Sequence, residues 1–334
     1  MLGSTLAIAL SGLAQASSLF LVAAGLSLIF GVTRIVNFAH GSLYMLGAYA
    51  AVDMIARWPG GAGFWLAIAA AALLVGGIGA AIEICVLRRL YASPELQQLL
   101  ATFGIVLIVQ DVALKIWGAE DILGPRAPGL GGSLRVLGQS IPQYDIFLMM
   151  VGPIVLGGLW LLLNRTRWGV LVRAATQDRE MAAALGINER ALFTSVFFIG
   201  SALAGLGGAL QVPREAVNLH MDLAMVVEAF VVVVVGGMGS ITGAFIASVL
   251  IGLLHAFGIL YLPKITLVLV FLVMAAVLVL KPYGLLGRAP GKVHADALHL
   301  EPPRSLWREA PRCWLIAGSV IIAVLPLLAG DYAR

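Results

Sequence analysis

The chain has 334 residues, of which 61% are hydrophobic and 11% charged, with a mean hydropathy of +1.01 and a formal charge of +4. Its uncharged runs exceed what one soluble core can hide and match bilayer-spanning helices of about 20 residues, which excludes a soluble globular fold. The small positive charge is a loop bias that orients a membrane protein, not a nucleic-acid footprint, so no nucleic-acid partner is expected.

In chain order, apolar spans are predicted at 6–30, 36–56, 62–86, 96–117, 145–163 and 191–212. A broken pair follows at 223–236 and 240–260, then runs at 265–281 and 313–330. The fold class is all-α, a polytopic transmembrane helical bundle. No charge precedes Arg34, so the first run reads as a retained span and not as a signal with a positive n-region. The basic clusters are Arg34, then Arg88 and Arg89, then Arg165, Arg167 and Arg173, then Lys281, Arg288 and Lys292. Counting crossings puts them on one face, which the positive-inside rule makes cytoplasmic and which leaves the N-terminus periplasmic.

The Gly- and Pro-rich loop 118–144 then lies outside. Within it "LRVLGQSI" can form a short hairpin, with Gly138 supplying the permissive turn backbone. The loop either caps the outer mouth or docks an extracytoplasmic partner.

Segment 223–236 is too short to cross about 30 Å of hydrocarbon at 1.5 Å per residue, and it stops at "GGMGS". A break at membrane depth is tolerated only where protein or a wet cavity satisfies the freed backbone. "NFAHGS" at 37–42 punctuates the second span similarly, and Gly41, Ser42, Gly47 and Ala48 parallel Gly239, Ser240, Gly243 and Ala244 as a weak internal repeat. Ser42 and Ser240 are expected to cap the helices they precede, whose N-termini attract anions such as an amino-acid carboxylate. Asn37, His40, Gly41, Ser42, Gly237, Gly239 and Ser240 are therefore candidates to border a translocation path. The plainer alternative is that the glycines only let helices approach closely.

Three acids fall inside spans, where ionised groups are costly. Glu83 is close to Arg88 and can pair with it, and Asp111 can pair with Lys115 one turn on. Glu228 has no cation within a turn, so it joins the candidates for the path, facing a cavity or a subunit interface. Catalytic chemistry is missing. The five histidines are scattered, the two cysteines lie far apart, and "GRAPGK" at 287–292 fails as a phosphate loop because its first Gly is one residue too close and Val293 follows the Lys. No nucleotide or metal site is expected in this chain.

Charge gathers instead at 164–190. Asp178 can cap a short helix from Arg179 to Leu185 that Gly186 ends, and Asn188 can cap the span that follows. Met181 and Leu185 share one face of that helix, with Arg179 and Glu180 elsewhere around it. Two turns are too short to be stable alone, so the helix needs a surface to lie against.

"EMAAALG" at 180–186 resembles the cytoplasmic Glu-Ala-Ala loop of ATP-binding cassette importer permeases, with Met181 where Ala is usual. "GLSLIFGVTRIVNFAHGSLYMLGAYAA" (25–51), "TRWGVLVRAATQDREMAAALGIN" (166–188) and "VVVVVGGMGSITGAFIASVLIGLL" (231–254) look like the permease family for branched-chain and other hydrophobic amino acids, over roughly 1–290. The resemblance implies a subunit of a bacterial inner-membrane importer with about eight family spans plus one extra C-terminal span and two discontinuous helices. It implies two ATPase subunits that hold ATP and Mg, a second permease that is a homologous heterodimer partner in preference to a second copy of this chain, and a periplasmic solute-binding protein. This chain itself would bind no cofactor. Arg173, Asp178, Arg179, Glu180, Met181, Ala182, Leu185 and Gly186 would form the ATPase-coupling element. The carried solute would be a branched-chain or other small hydrophobic amino acid, or a related amide.

On this reading 1–290 is the permease domain, 291–312 a cytoplasmic linker, and 313–334 an extra apolar segment that either adds a span or opens a fused sister permease. The alternative is an ion-coupled secondary transporter, which also uses broken helices at the midplane. The missing proton relay and the "EMAAALG" helix argue against it.

Overall fold

The computed structural model describes residues 2–287 except 92, 137, 178 and 262, all within one compact unit, Met1–Arg288. The expected linker at 291–312 and apolar segment at 313–334 lie outside the described residues.

The helices are α1 (Leu2–Thr33), α2 (Ala39–Arg57), α3 (Gly61–Ile82), a π turn (Glu83–Leu87) running into α4 (Arg88–Leu90), and α5 (Glu95–Trp117). A hairpin of β1 (Ser133–Val136) and β2 (Gln139–Pro142) precedes α6 (Gln143–Arg165), α7 (Arg167–Gln177), α8 (Arg179–Ala184) and α9 (Glu189–Gln211). Then come α10 (Met221–Gly236), α11 (Ile241–Tyr261) and α12 (Thr266–Leu280). The hairpin is where "LRVLGQSI" places it, paired antiparallel with Val136 opposite Gln139 and Gly138 at φ +79°. It qualifies the all-α expectation only in this loop.

Against an expected eight family spans, six helices among the described residues are long and apolar enough to cross a membrane, with α12 a shorter apolar helix. The second expected span, α2, is not among the six, because its 19 residues, His40, Asp53 and Arg57 among them, are less apolar. Residues 39–51 are buried almost throughout, so protein and not lipid is their solvent.

Helix α2 also begins far above the end of α1. The His40 Nε2 lies 3.0 Å from the Val22 carbonyl, eleven residues before α1 ends. Eleven helical residues rise about 16 Å, and five extended residues reach about 17 Å. The non-helical segment 34–38 therefore doubles back along α1, starting at Arg34 with φ +58°. This is the first discontinuity.

The second lies between α10 and α11. Gly237 and Gly239 take φ of +101° and +83°, which L side chains resist. The carbonyls freed at the end of α10 are satisfied from outside the pair, because Leu285 N donates to Val235 O (2.8 Å) and Leu286 N to Gly236 O (3.1 Å). Gly239 and Gly31 meet backbone to backbone, so this break abuts the end of α1 where the first begins.

The core is knitted by glycines that admit a neighbouring backbone. An ideal Cβ on Gly47 would stand 2.3 Å from the Gly205 carbonyl oxygen, and one on Gly208 would overlap Tyr44 O. Helices α1, α2, α3 and α9 thereby form the centre, while α5 and α6 keep most of their surface outside it.

Candidate coupling helix and translocation region

Helices α7 and α8 lie at the end of the bundle that also carries the end of α1, the π turn and the start of α9. Val172, Ala175 and Ala182 share one apolar cluster with Leu28, Leu87, Leu192 and Phe193. Trp168 Nε1 donates to Ser195 Oγ at 2.7 Å, fastening α7 to α9, and Arg173 donates to the Leu163 carbonyl. Helix α8 ends as the sequence demands: Gly186 takes φ +81°, its N–H donates to Ala183 O (2.9 Å), and Ile187 N donates to Ala182 O (3.1 Å). This paired pattern is a Schellman closure. Asn188 Oδ1 then accepts from Ala191 N at 3.1 Å and caps α9. Asp178 and the side chains of Arg179 and Glu180 lie outside the described residues.

The faces of α8 are sharply divided. Ala182 is 2% exposed and packs inward, whereas Met181 is 58% and Leu185 76% exposed. Met181 on the helix and Leu185 just past its end thus point away from the core of the bundle.

The candidate path residues cluster around the first break and α10. Asn37 and His40 are buried, with Asn37 Oδ1 accepting from Ala39 N (3.1 Å) at the start of α2. Ser42 does not supply the expected cap, because α2 starts at Ala39, whose N–H is taken by Asn37 in a turn just ahead of the helix. Ser42 sits one turn inside α2 and donates to Asp222 Oδ2 at 3.1 Å. Ser240 does cap α11, accepting from Gly243 N at 3.1 Å, so the two serines of the supposed repeat play different parts. Gly41 packs on α10, where a Cβ would come within 2.2 Å of Asp222 O. Gly237 is buried against Gly287, and Gly239 is exposed beside Gly31. Glu228 is half-buried on α10.

Asp222 escapes sequence reasoning altogether. It is 1% exposed and is held by Ser42 Oγ on α2 and by Gln110 Nε2 on α5 at 2.9 and 3.0 Å, joining three helices through one carboxylate. Nothing local marks it, since its partners stand 112 and 180 residues away in sequence.

Glu83, by contrast, pairs as its neighbourhood predicts. It is fully buried, and Arg88 grips it with two hydrogen bonds of 2.8 and 3.1 Å, assisted by Tyr91 and Thr194. Five residues on an α-helix stand about 140° apart, and the π turn closes that angle. The pairing expected for Asp111 and Lys115 does not form. Both are exposed on α5 and no ion pair joins them in the structure. Among the described residues no group of three or more His, Cys, Asp or Glu is placed to hold a metal.

The branched-chain amino acid transport system permease component family matches residues 8–278. The high-affinity branched-chain amino acid transport system permease protein BraD of Pseudomonas aeruginosa is 30% identical over 289 residues, covering 83% of this chain and 94% of that protein. The Escherichia coli permease protein LivH of the same description is 29% identical over 289 residues, with the same coverage. The Escherichia coli LivM permease protein is 26% identical over 254 residues, or 68% of this chain and 58% of that protein. No solved structure matches. With the family matched over most of its length, and a helical bundle broken where the family-like motifs fall, this chain belongs to the branched-chain amino acid transport system permease family.

Proposed function

We propose that this chain is the transmembrane permease subunit of an ATP-binding cassette importer that carries branched-chain or similar small hydrophobic amino acids into the cytoplasm. The observation that carries the coupling part is α8, a six-residue helix that turns Met181 outward, with Leu185 exposed just past its end, while Ala182 anchors it to the bundle. Such a face is stable in water only at a cost, and an ATPase groove on the cytoplasmic side would bury it. Because α7 and α8 share a cluster with the end of α1, a push on α8 would reach the segment 34–38 and its neighbour at 237–240. Those two breaks are where we place the path, with Glu228 beside it.

The further parts of the reading follow the family. Basic residues of α4, α6 and α7 gather at the α8 end, which supports a cytoplasmic position for 164–190, a periplasmic one for 118–144 and a periplasmic N-terminus. ATP and Mg belong to two partner ATPase subunits, and this chain contributes no cofactor site. A periplasmic binding protein delivers the solute. Escherichia coli has two distinct permease proteins of this description, LivH and LivM, and this chain is similar to both, which favours a heterodimer with a sister permease.

The test is affinity purification of the full chain expressed with its neighbouring transport subunits. We expect it to bring down two copies of ATPase and one second permease. Recovery of the chain as a sole membrane species that still accumulates amino acid would support the ion-coupled alternative instead.

A further inference from the structure

Helix α5 joins the bundle through one side, where Thr102, Ile105, Val106 and Ala113 are buried and Gln110 reaches Asp222. Its opposite side is exposed, and that side is not uniformly apolar. Leu100 and Ile108 are each 64% exposed and Leu107 is 52% exposed, with Asp111 exposed among them. At 100° per residue, Leu100, Gly104, Leu107 and Ile108 all lie within about 60° of Asp111 around the helix. An ideal Cβ on Gly104 would meet nothing within 4 Å. The face is therefore an apolar stripe that holds a notch and, two turns on, a carboxylate.

The depth of that carboxylate decides what can cover it. Asp111 stands six residues, about 9 Å, from Trp117 at the end of α5, and about 18 Å from Leu99, where the apolar run begins. Its side chain is too short to carry the charge to water, as Lys115 can one turn further on. Among the described residues it makes no hydrogen bond or ion pair, and it is the one exposed acid more than a turn from the end of a spanning helix. Hydrocarbon satisfies neither its charge nor its hydrogen-bonding capacity. Helix α6 gives the contrast, because it exposes Met150, Ile154, Trp160 and Leu161 with no charge between Asp145 and Arg165, and lipid suffices there.

The cover that α5 calls for is a transmembrane helix that comes close at Gly104 and presents a hydrogen-bond donor to Asp111. A second copy of this chain fits poorly. Two α5 helices packed about an axis along the membrane normal bring residues of equal depth together, so Asp111 would face its own copy, and like carboxylates oppose each other. We propose that the exposed face of α5 is the docking surface for the sister permease, one of whose helices bears a hydroxyl, amide or cationic donor opposite Asp111. The surface rests on the importer reading, which supplies the sister subunit, and it names the face that subunit covers. It also adjoins the first break, because Gln110 next to Asp111 holds Asp222, which accepts from Ser42 of α2.

Photo-crosslinking in membranes that hold the complete complex tests the surface, with p-benzoylphenylalanine placed at Ile108 on α5 or at Ile154 on α6 and the adducts identified by mass spectrometry. Ile108 should join the sister permease and Ile154 only lipid. Adducts of Ile108 with lipid alone, or with a second copy of this chain, would overturn the proposal. Asp111→Leu should lower the sister permease recovered with this chain about tenfold, the loss of one charge-assisted hydrogen bond, with the melting temperature of the chain alone unchanged. Asp111→Asn, which keeps an acceptor, should lower it less. Full recovery in Asp111→Leu would contradict the donor opposite Asp111. A complex that imports leucine while Ile108 meets only lipid refutes this surface alone, whereas one that crosslinks as expected yet imports no branched-chain amino acid refutes the importer reading.

Discussion

Substituting Met181 by Asp separates docking from folding, because the structure fixes how much each depends on that side chain. Met181 is 58% exposed, so the isolated permease should lose no more than the roughly 0.5 kcal/mol typical of surface changes. Full burial of a methionine is worth about 1.5–3 kcal/mol, and docking can bury only the exposed six-tenths, or about 1–2 kcal/mol. A carboxylate left unpaired in an apolar groove adds several kcal/mol more. The sum, about 4 kcal/mol or above, weakens ATPase association by roughly a thousandfold. The assay is co-purification of the ATPase at fixed expression, with thermal unfolding of the permease alone as the control. Ala182→Asp provides the contrast. Ala182 is 2% exposed among Val172, Ala175 and Phe193, so that variant should lower the melting temperature of the permease itself. If Met181→Asp recovers the ATPase at the unsubstituted yield, α8 is not the coupling helix and its charges merely orient the chain.

Gly186→Val forces a β-branched residue to φ +81° and should cost about 1–2 kcal/mol, seen as weakened ATPase recovery that Gly186→Asn partly restores. Gly41→Val drives a side chain into Asp222 O and the Val226 Cβ, so folded yield in fluorescence-detected size exclusion should fall; a well-folded, assembled but inactive variant would instead put Gly41 on the path. Asp222→Ala leaves the Gln110 amide and Ser42 hydroxyl without their acceptor at about 1–3 kcal/mol for each buried group, whereas Asp222→Asn should cost less, as thermal unfolding would show. Single cysteines at Glu180 and Gln139, in a chain lacking Cys85 and Cys313, should label from opposite membrane faces; labelling of both by an impermeant reagent in intact cells contradicts the orientation.

Features that depend on neighbours in sequence were legible. The apolar runs, the glycine that ends α8, the Asn188 cap, the Glu83 pair with Arg88 and the stop at "GGMGS" all follow from residues within about two turns of one another. What escaped depends on distant chain. The doubling back of 34–38 requires knowing that His40 meets Val22, and the cap on α10 comes from Leu285 and Leu286, some fifty residues downstream. Ser42 looked like a helix cap because Gly-Ser precedes an apolar run, but the helix starts three residues earlier, at Ala39, after a turn that Asn37 closes. Asp222 and Arg214 carry no local signal, and only the packing of α2, α5 and α10 shows the first as a buried junction, as the approach of α6 shows the second paired with Asp145.

The most direct test of the central claim is leucine uptake into proteoliposomes holding the complete complex, with ATP on the ATPase side, binding protein on the other, and an uncoupler present throughout. Uptake should require ATP, persist with the uncoupler, and vanish when Met181→Asp removes the ATPase. Uptake that ignores ATP and collapses with the ion gradient would contradict the account.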